Sequence, residues 1–277
     1  MKPLDGPVPM PAWFLAHGAP LQLLADSPVR RFWSSLPDRL PAPPKVLLCL
    51  SAHWLTETPT LAGHVPQPTI QYDFHGFPDE LYRLSWPLHH NPARLKSAIA
   101  SIAHCVPELA EEAERPLDHG VWVPLMAAWS EPPFPVLQLS LCPQRGTRWH
   151  WELGRKLAPL REKGILVVGS GGLVHNLSRL DFSSPDGTAA DWARAFIDAL
   201  CERLAAGDTE TLLDPRHLPH GCTAVPTIEH YLPWLVILGT AGEDPAALRL
   251  MHESWAYGAL AMHSFELPQA GSAVPSA

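Results

Sequence analysis

Charge is scarce in this sequence of 277 residues: charged side chains make up 17% and the formal net charge is −8. With no run of Lys or Arg, the chain lacks the cationic face that nucleic-acid binding requires. Long apolar runs are missing as well. VLLCLSA and WLVIL are the longest, far short of the ~18 residues that mark a membrane-spanning helix. The opening MKPLDGPVPMPAW holds no apolar stretch of the kind a secretory signal needs. Cysteines number 5, an odd count without CxxC spacing. That argues against a disulfide framework or a zinc ribbon and for reduced thiols in a cytoplasmic protein. Three catalytic templates are absent too. There is no HExxH, the Gly-rich GSGGLVH lacks the P-loop lysine, and Ser170 has Val168 where a nucleophile elbow needs glycine.

What the chain has in quantity is apolar residues (46%), proline (32) and histidine (15). The prolines are scattered and read as loop punctuation between elements. Short apolar runs at 11–16, 45–52, 134–141 and 165–172 are bounded by Pro or Gly and predict buried strands. Apolar residues at helical spacing predict helices over 92–106, 148–162 and 189–205. A further helix is expected over 227–238, with Thr227 as N-cap, and a last strand over 252–266. Strands alternating with helices predict an α/β fold: a single domain over 1–277 with a central, mostly parallel or mixed sheet flanked by helices. Residues 267–277 read as a frayed tail.

The histidines carry the chemistry. His17 follows the first strand, His53 ends the second and His175 lies just past the fourth. Ligands of open α/β sheets bind outside the carboxyl ends of the strands, so three imidazoles there can converge on one metal. His119, in LDHGVW, has Asp118 beside it, which either orients the imidazole or forms a local turn. His230 follows Glu229, and consecutive helical residues point about 100° apart, so only one of the two would ligate a shared ion. The glycines of VVGSGG either permit close backbone approach at the site or make a tight turn, the first being the favoured reading.

Taken together, FLAHGAP, SAHW, YDFHGFPDELY, LDHGVWVPL, GSGGLVHNL and PTIEHYLP resemble, in order and spacing, the class III extradiol ring-cleavage dioxygenases, closest to the 4,5-DOPA dioxygenase branch. The similarity runs over residues 10–266. It implies that His17, His53 and His230 ligate the metal, with Glu229 the rival third ligand, that His175 is the acid/base histidine, and that His119 contacts substrate or dioxygen. The implied metal is Fe(II), with Zn(II) able to replace it in purified protein because it stands higher in the Irving–Williams order. The implied partners are a small aromatic diol and O2, with no nucleic acid and no membrane; the oligomeric state is left open. His75, His263 and Trp54 are candidate substrate contacts, and Tyr72, Phe74 and Phe77 candidate pocket walls; the other histidines read as surface or packing residues. Two rival functions stay in view, a non-catalytic metal-binding interaction protein on the same fold and a zinc-dependent hydrolase.

Overall fold

The computed structural model describes residues 8–185 and 187–269. In chain order the strands are β1 (Ala12–Ala16), β2 (Val46–Leu55), β3 (Thr60–Ala62), β4 (Ala110–Glu112), β5 (Val136–Leu141), β6 (Ile165–Gly171), β7 (Arg249–His252), β8 (Trp255–Ala256), β9 (Leu260–Ala261) and β10 (Ser264–Leu267). The helices are α1 (Pro28–Ser34), α2 (Pro92–Cys105), α3 (His119–Ala128), α4 (Gly146–Leu157), α5 (Asp191–Ala205), α6 (Thr209–Leu213), α7 (Gly221–Ala224) and α8 (Leu232–Thr240). One sheet of 8 strands, in the order β4-β3-β5-β2-β6-β1-β10-β7, organises a single α/β domain. Its centre, β5-β2-β6-β1, is parallel, while β10 and β7 on one side and β3 on the other bring antiparallel pairing. The sheet is therefore mixed with a parallel core.

The central strands are continuous apolar runs because both of their faces are covered. Alternation in β1 sends Ala12 and Phe14 into one core layer and Trp13 and Leu15 into the other. The same division places Leu48 and Val167 with α4, α5 and α8, and Leu47 and Val168 with α1 and α3. Helix α8 is buried along its whole length. Truncating a leucine in such a setting costs about 2–5 kcal/mol.

Several expected elements shift. Strand β2 runs on to Leu55, so His53 lies inside its last turn of pleat and not at its end. The helix expected over 148–162 stops at Leu157, because Pro159 converts the rest into a 3₁₀ segment, Ala158–Lys163. The helix expected from Thr227 starts at Leu232, where Pro233 occupies a first-turn position, and residues 226–231 form turns instead. Thr227 is no N-cap; its hydroxyl donates to Glu229 Oε1 at 2.6 Å. The single strand expected over 252–266 is broken into short pieces around a turn at Tyr257–Ala259. Leu267 belongs to β10 and pairs with Ala12, and the Arg161 guanidinium donates to Pro268 O at 2.6 Å, so the chain is held past the expected start of the tail. Residues 270–277 of that tail lie outside the described residues.

Candidate metal centre

The adjacent strands β2, β6 and β1 end on the same side of the sheet, and His17, His53 and His175 follow from that. His17 is the first residue after β1; its N–H donates to Gly171 O at 3.2 Å, which continues the β1–β6 ladder by one step. His53 stands where β2 has parted from β5. His230 arrives from the turn before α8, pressed onto β6. Gly172 N–H donates to His230 O at 2.9 Å, and a Cβ on Gly171 would lie 2.2 Å from that same oxygen. Close backbone approach, the favoured reading of VVGSGG, is what these glycines provide.

The ring nitrogens then converge. His53 Nε2 lies 3.1 Å from His17 Nε2 and 3.3 Å from His230 Nε2. Two of the three tautomers follow from their other nitrogens. Ser170 Oγ gives its one proton to Gly120 O, so at 3.0 Å from His17 Nδ1 it can only accept; Nδ1 carries the proton and Nε2 a lone pair. Glu229 Oε1 is an acceptor 3.3 Å from His230 Nδ1, which fixes that ring the same way. With His53 in the same tautomer, three lone pairs face one another at these distances, an arrangement that a cation between them stabilises. Nitrogens each about 2.0–2.1 Å from one ion at angles of roughly 90–110° stand about 2.8–3.4 Å apart, so the spacing fits a metal. An imidazole that donates its far N–H to an acceptor is also the usual arrangement around a bound metal.

Electrostatics agree with neutral rings. Burial lowers the pKa of His17 and His53 well below the usual value, and the neighbouring imidazoles lower it further. Burial likewise lowers His230, although Glu229 opposes it. Glu229 is pushed up by burial, yet hydrogen bonds from His230 and Thr227 hold it down at about 2. Its carboxylate sits at the Nδ1 side of the His230 ring, away from the converging Nε2 atoms.

His175 and His119 complete the group. His175 stacks on His230 with centroids 3.3 Å apart and planes 7° from parallel. Burial and the adjacent His230 bring its pKa down to about 3. His119 begins α3, with its ring centroid 3.9 Å from that of His53. The ligand atoms of His17, His53 and His119 all lie within 4.8 Å of one another, as do those of His175, Glu229 and His230. Asp118 does not orient His119. Its fully buried carboxylate accepts from Ser51 Oγ at 2.6 Å and from Gln138, and Ser51 Oγ in turn accepts from His53 N–H at 3.2 Å. The acid at His119 is Asp73, whose Oδ1 accepts the His119 backbone N–H at 2.9 Å and whose Oδ2 lies 3.0 Å from Nδ1.

His17, His53, His119 and His175, but not His230, line a cavity of about 450 Å³ with Leu21, Phe74, Phe77, Leu177, Leu180, Phe182, Tyr257 and Leu260 among its walls. Three expected substrate contacts fall elsewhere. His75 is exposed and outside the lining. Trp54, one step along β2 from His53, points to the opposite face, where Arg115 covers its ring at 4.3 Å. His263 is buried behind the cavity, against Trp255 with centroids 5.1 Å apart. Of the aromatic trio, Phe74 and Phe77 line the cavity, while Tyr72 lies outside it with its hydroxyl donating to Leu84 O.

Residues 11–265 match the model of the catalytic LigB subunit of aromatic ring-opening dioxygenase. The chain belongs to this family of class III extradiol dioxygenases. Among relatives, the 4,5-DOPA dioxygenase extradiol of Escherichia coli K12 is 36% identical over 93% of this chain and 94% of its own length. That of Beta vulgaris is 35% identical over 92% and 95%. The crystal structure of an uncharacterized E. coli K12 protein superposes with a TM-score of 0.75 at 30% identity, covering 93% of this chain and 99% of the other. Membership of the LigB family makes this an oxygenase fold acting on a small aromatic substrate with O2, and no helix among the described residues is long and apolar enough to cross a membrane.

Proposed function

We propose that the protein is a metal-dependent extradiol dioxygenase that opens the ring of a catechol with O2, its Fe(II) held by Nε2 of His17, His53 and His230. The observation that carries this reading is the convergence of those three nitrogens, two with their tautomers fixed, beside an aromatic-walled cavity that His17 and His53 line. Ferrous iron bound there supplies Lewis acidity toward the diol and positions O2 beside it.

The rest is chemistry of the chain. Phe74 and Phe77 flank a planar ring above the histidines. His175 is neutral at physiological pH and takes the second phenolic proton; a catecholate forming beside it raises its basicity, since an adjacent anion favours the imidazolium. It then returns that proton to the departing oxygen. His119, with the Asp73 carboxylate at Nδ1, is the second proton-holding group. The apolar walls keep bulk water from the ring during cleavage.

A zinc hydrolase needs a carboxylate base facing the cavity. Glu229 and Asp73 both sit at the Nδ1 atoms of histidines, and neither lines it. A non-catalytic binding protein would have no use for His175 and His119 in the cavity lining. We place the enzyme in the cytoplasm, in keeping with five cysteines that are all unpaired. Anaerobic loading with Fe(II), followed by O2 and a panel of catechols, tests the activity. Oxygen uptake with a yellow ring-opened product is expected for at least one catechol; uptake with none, while iron stays bound, would overturn it.

A further inference from the structure

The cavity divides sharply by polarity. Its histidines lie together, and the rest of the wall is Leu21, Phe74, Phe77, Leu177, Leu180, Phe182 and Leu260, with Tyr257 the one further side chain that carries a polar group. Among the described residues, no Lys, Arg, Asp or Glu lines it. The acids closest to the histidines, Asp73 and Glu229, are engaged by His119 and His230. Arg115 is turned away, over Trp54 and 3.8 Å from Asp118. At the rim, Asp181 accepts from Ser183 and Ser184 within its own turn, and Arg179 is exposed.

A catechol seated with both hydroxyls toward the histidines must send its ring substituent along this wall. An engineered apolar cavity of about 150 Å³ holds a benzene ring, so a volume of about 450 Å³ leaves room for a substituent at least as large as the ring itself. A carboxylate or ammonium there would leave water without an oppositely charged partner, whereas methylene and aryl groups would exchange water for Phe and Leu side chains. The rim itself is apolar and open: Leu177 is 62% and Phe182 73% exposed, and both line the cavity.

We infer that the substrate is a catechol with an uncharged, apolar alkyl or aryl substituent, and that the amino acid side chain of DOPA is disfavoured. This rests on the ring-cleavage reading, and its test separates the two. In the iron-loaded enzyme, kcat/KM is compared for catechol, 4-methylcatechol, 4-butylcatechol, L-DOPA and 3,4-dihydroxyphenylacetate. In the zinc-loaded protein under argon, binding of the same compounds is measured by calorimetry. Each methylene is expected to raise kcat/KM and affinity about fourfold, placing 4-butylcatechol on the order of a hundredfold above catechol and L-DOPA below catechol. L-DOPA equal to or better than 4-butylcatechol in both assays would overturn the assignment and leave ring cleavage standing. Tighter binding of 4-butylcatechol with no cleavage of any compound would overturn ring cleavage and leave the ligand class standing. Leu177→Arg, on the exposed rim, supplies the missing cation. It should raise 3,4-dihydroxyphenylacetate severalfold relative to 4-ethylcatechol; an unchanged ratio would contradict the proposed path of the substituent.

Discussion

Two sets of buried histidines make an informative contrast. Around β5, His90 and His150 are buried, and burial lowers the pKa of each to about 4. At the ends of β1, β2 and β6, His17 and His230 are as buried, His53 is half-buried, and all three are also lowered. Burial and pKa therefore do not distinguish them. Hydrogen bonding does. His150 spends both nitrogens on backbone, Nε2 accepting from Cys142 N–H at 3.1 Å and Nδ1 donating to Gly146 O at 2.7 Å. His90 Nε2 accepts from Val136 N–H at 3.1 Å. In the site, Nδ1 of His17 and His230 is bonded, and their Nε2 lone pairs both face Nε2 of His53. A buried histidine whose lone pair meets a backbone N–H is spent on the fold; one whose lone pair faces other imidazoles is free to ligate a cation.

Substitutions can break that contrast in order of effect. His17→Ala or His53→Ala should abolish stoichiometric metal by elemental analysis, and oxygen uptake with it. His175→Ala should keep the metal while turnover falls by about 10²–10⁴, the worth of a general acid–base group; loss of metal would make it a ligand instead. Ser170→Ala removes the acceptor at His17 Nδ1 and should weaken metal binding about 10–100-fold in a competition titration with a chelator, with turnover restored at excess metal.

His150→Leu sharpens the structural side. The unfolded chain binds protons at histidine near pH 6.5, and the folded one only near 4. Stability is therefore complete above about pH 6.5 and is lost as pH falls toward 4, at up to about 1.4 kcal/mol per unit for each such histidine. Denaturant melts from pH 7 to 4 should show that slope, smaller in His150→Leu than in wild type. No metal or activity change is expected from this variant.

The parallel core and the strand-end histidines were legible because both leave local marks: apolar runs bounded by Pro or Gly, three of the four followed by a histidine. Helix α3 was not. It is apolar on every side and contains Pro124, so it shows no 3.6-residue period. Asp73 escaped notice because its partner His119 is 46 residues away, and the local motif drew attention to exposed His75 instead. That the Glu229 carboxylate sits at Nδ1 of His230, away from the converging Nε2 atoms, depends on ring orientation, which no spacing in the sequence carries. Trp54 and His263 were misplaced for a simpler reason: adjacency in sequence to a site residue or a strand does not say which face a side chain takes.

The central claim is the identity of the third nitrogen, since His119 also lies within reach of His17 and His53. The most direct measurement is metal content and affinity in His230→Ala, His119→Ala and Glu229→Gln, each purified and reloaded alike. The account predicts that His230→Ala loses the ion while His119→Ala keeps it and Glu229→Gln binds it more weakly. An ion retained by His230→Ala and lost from His119→Ala would contradict it.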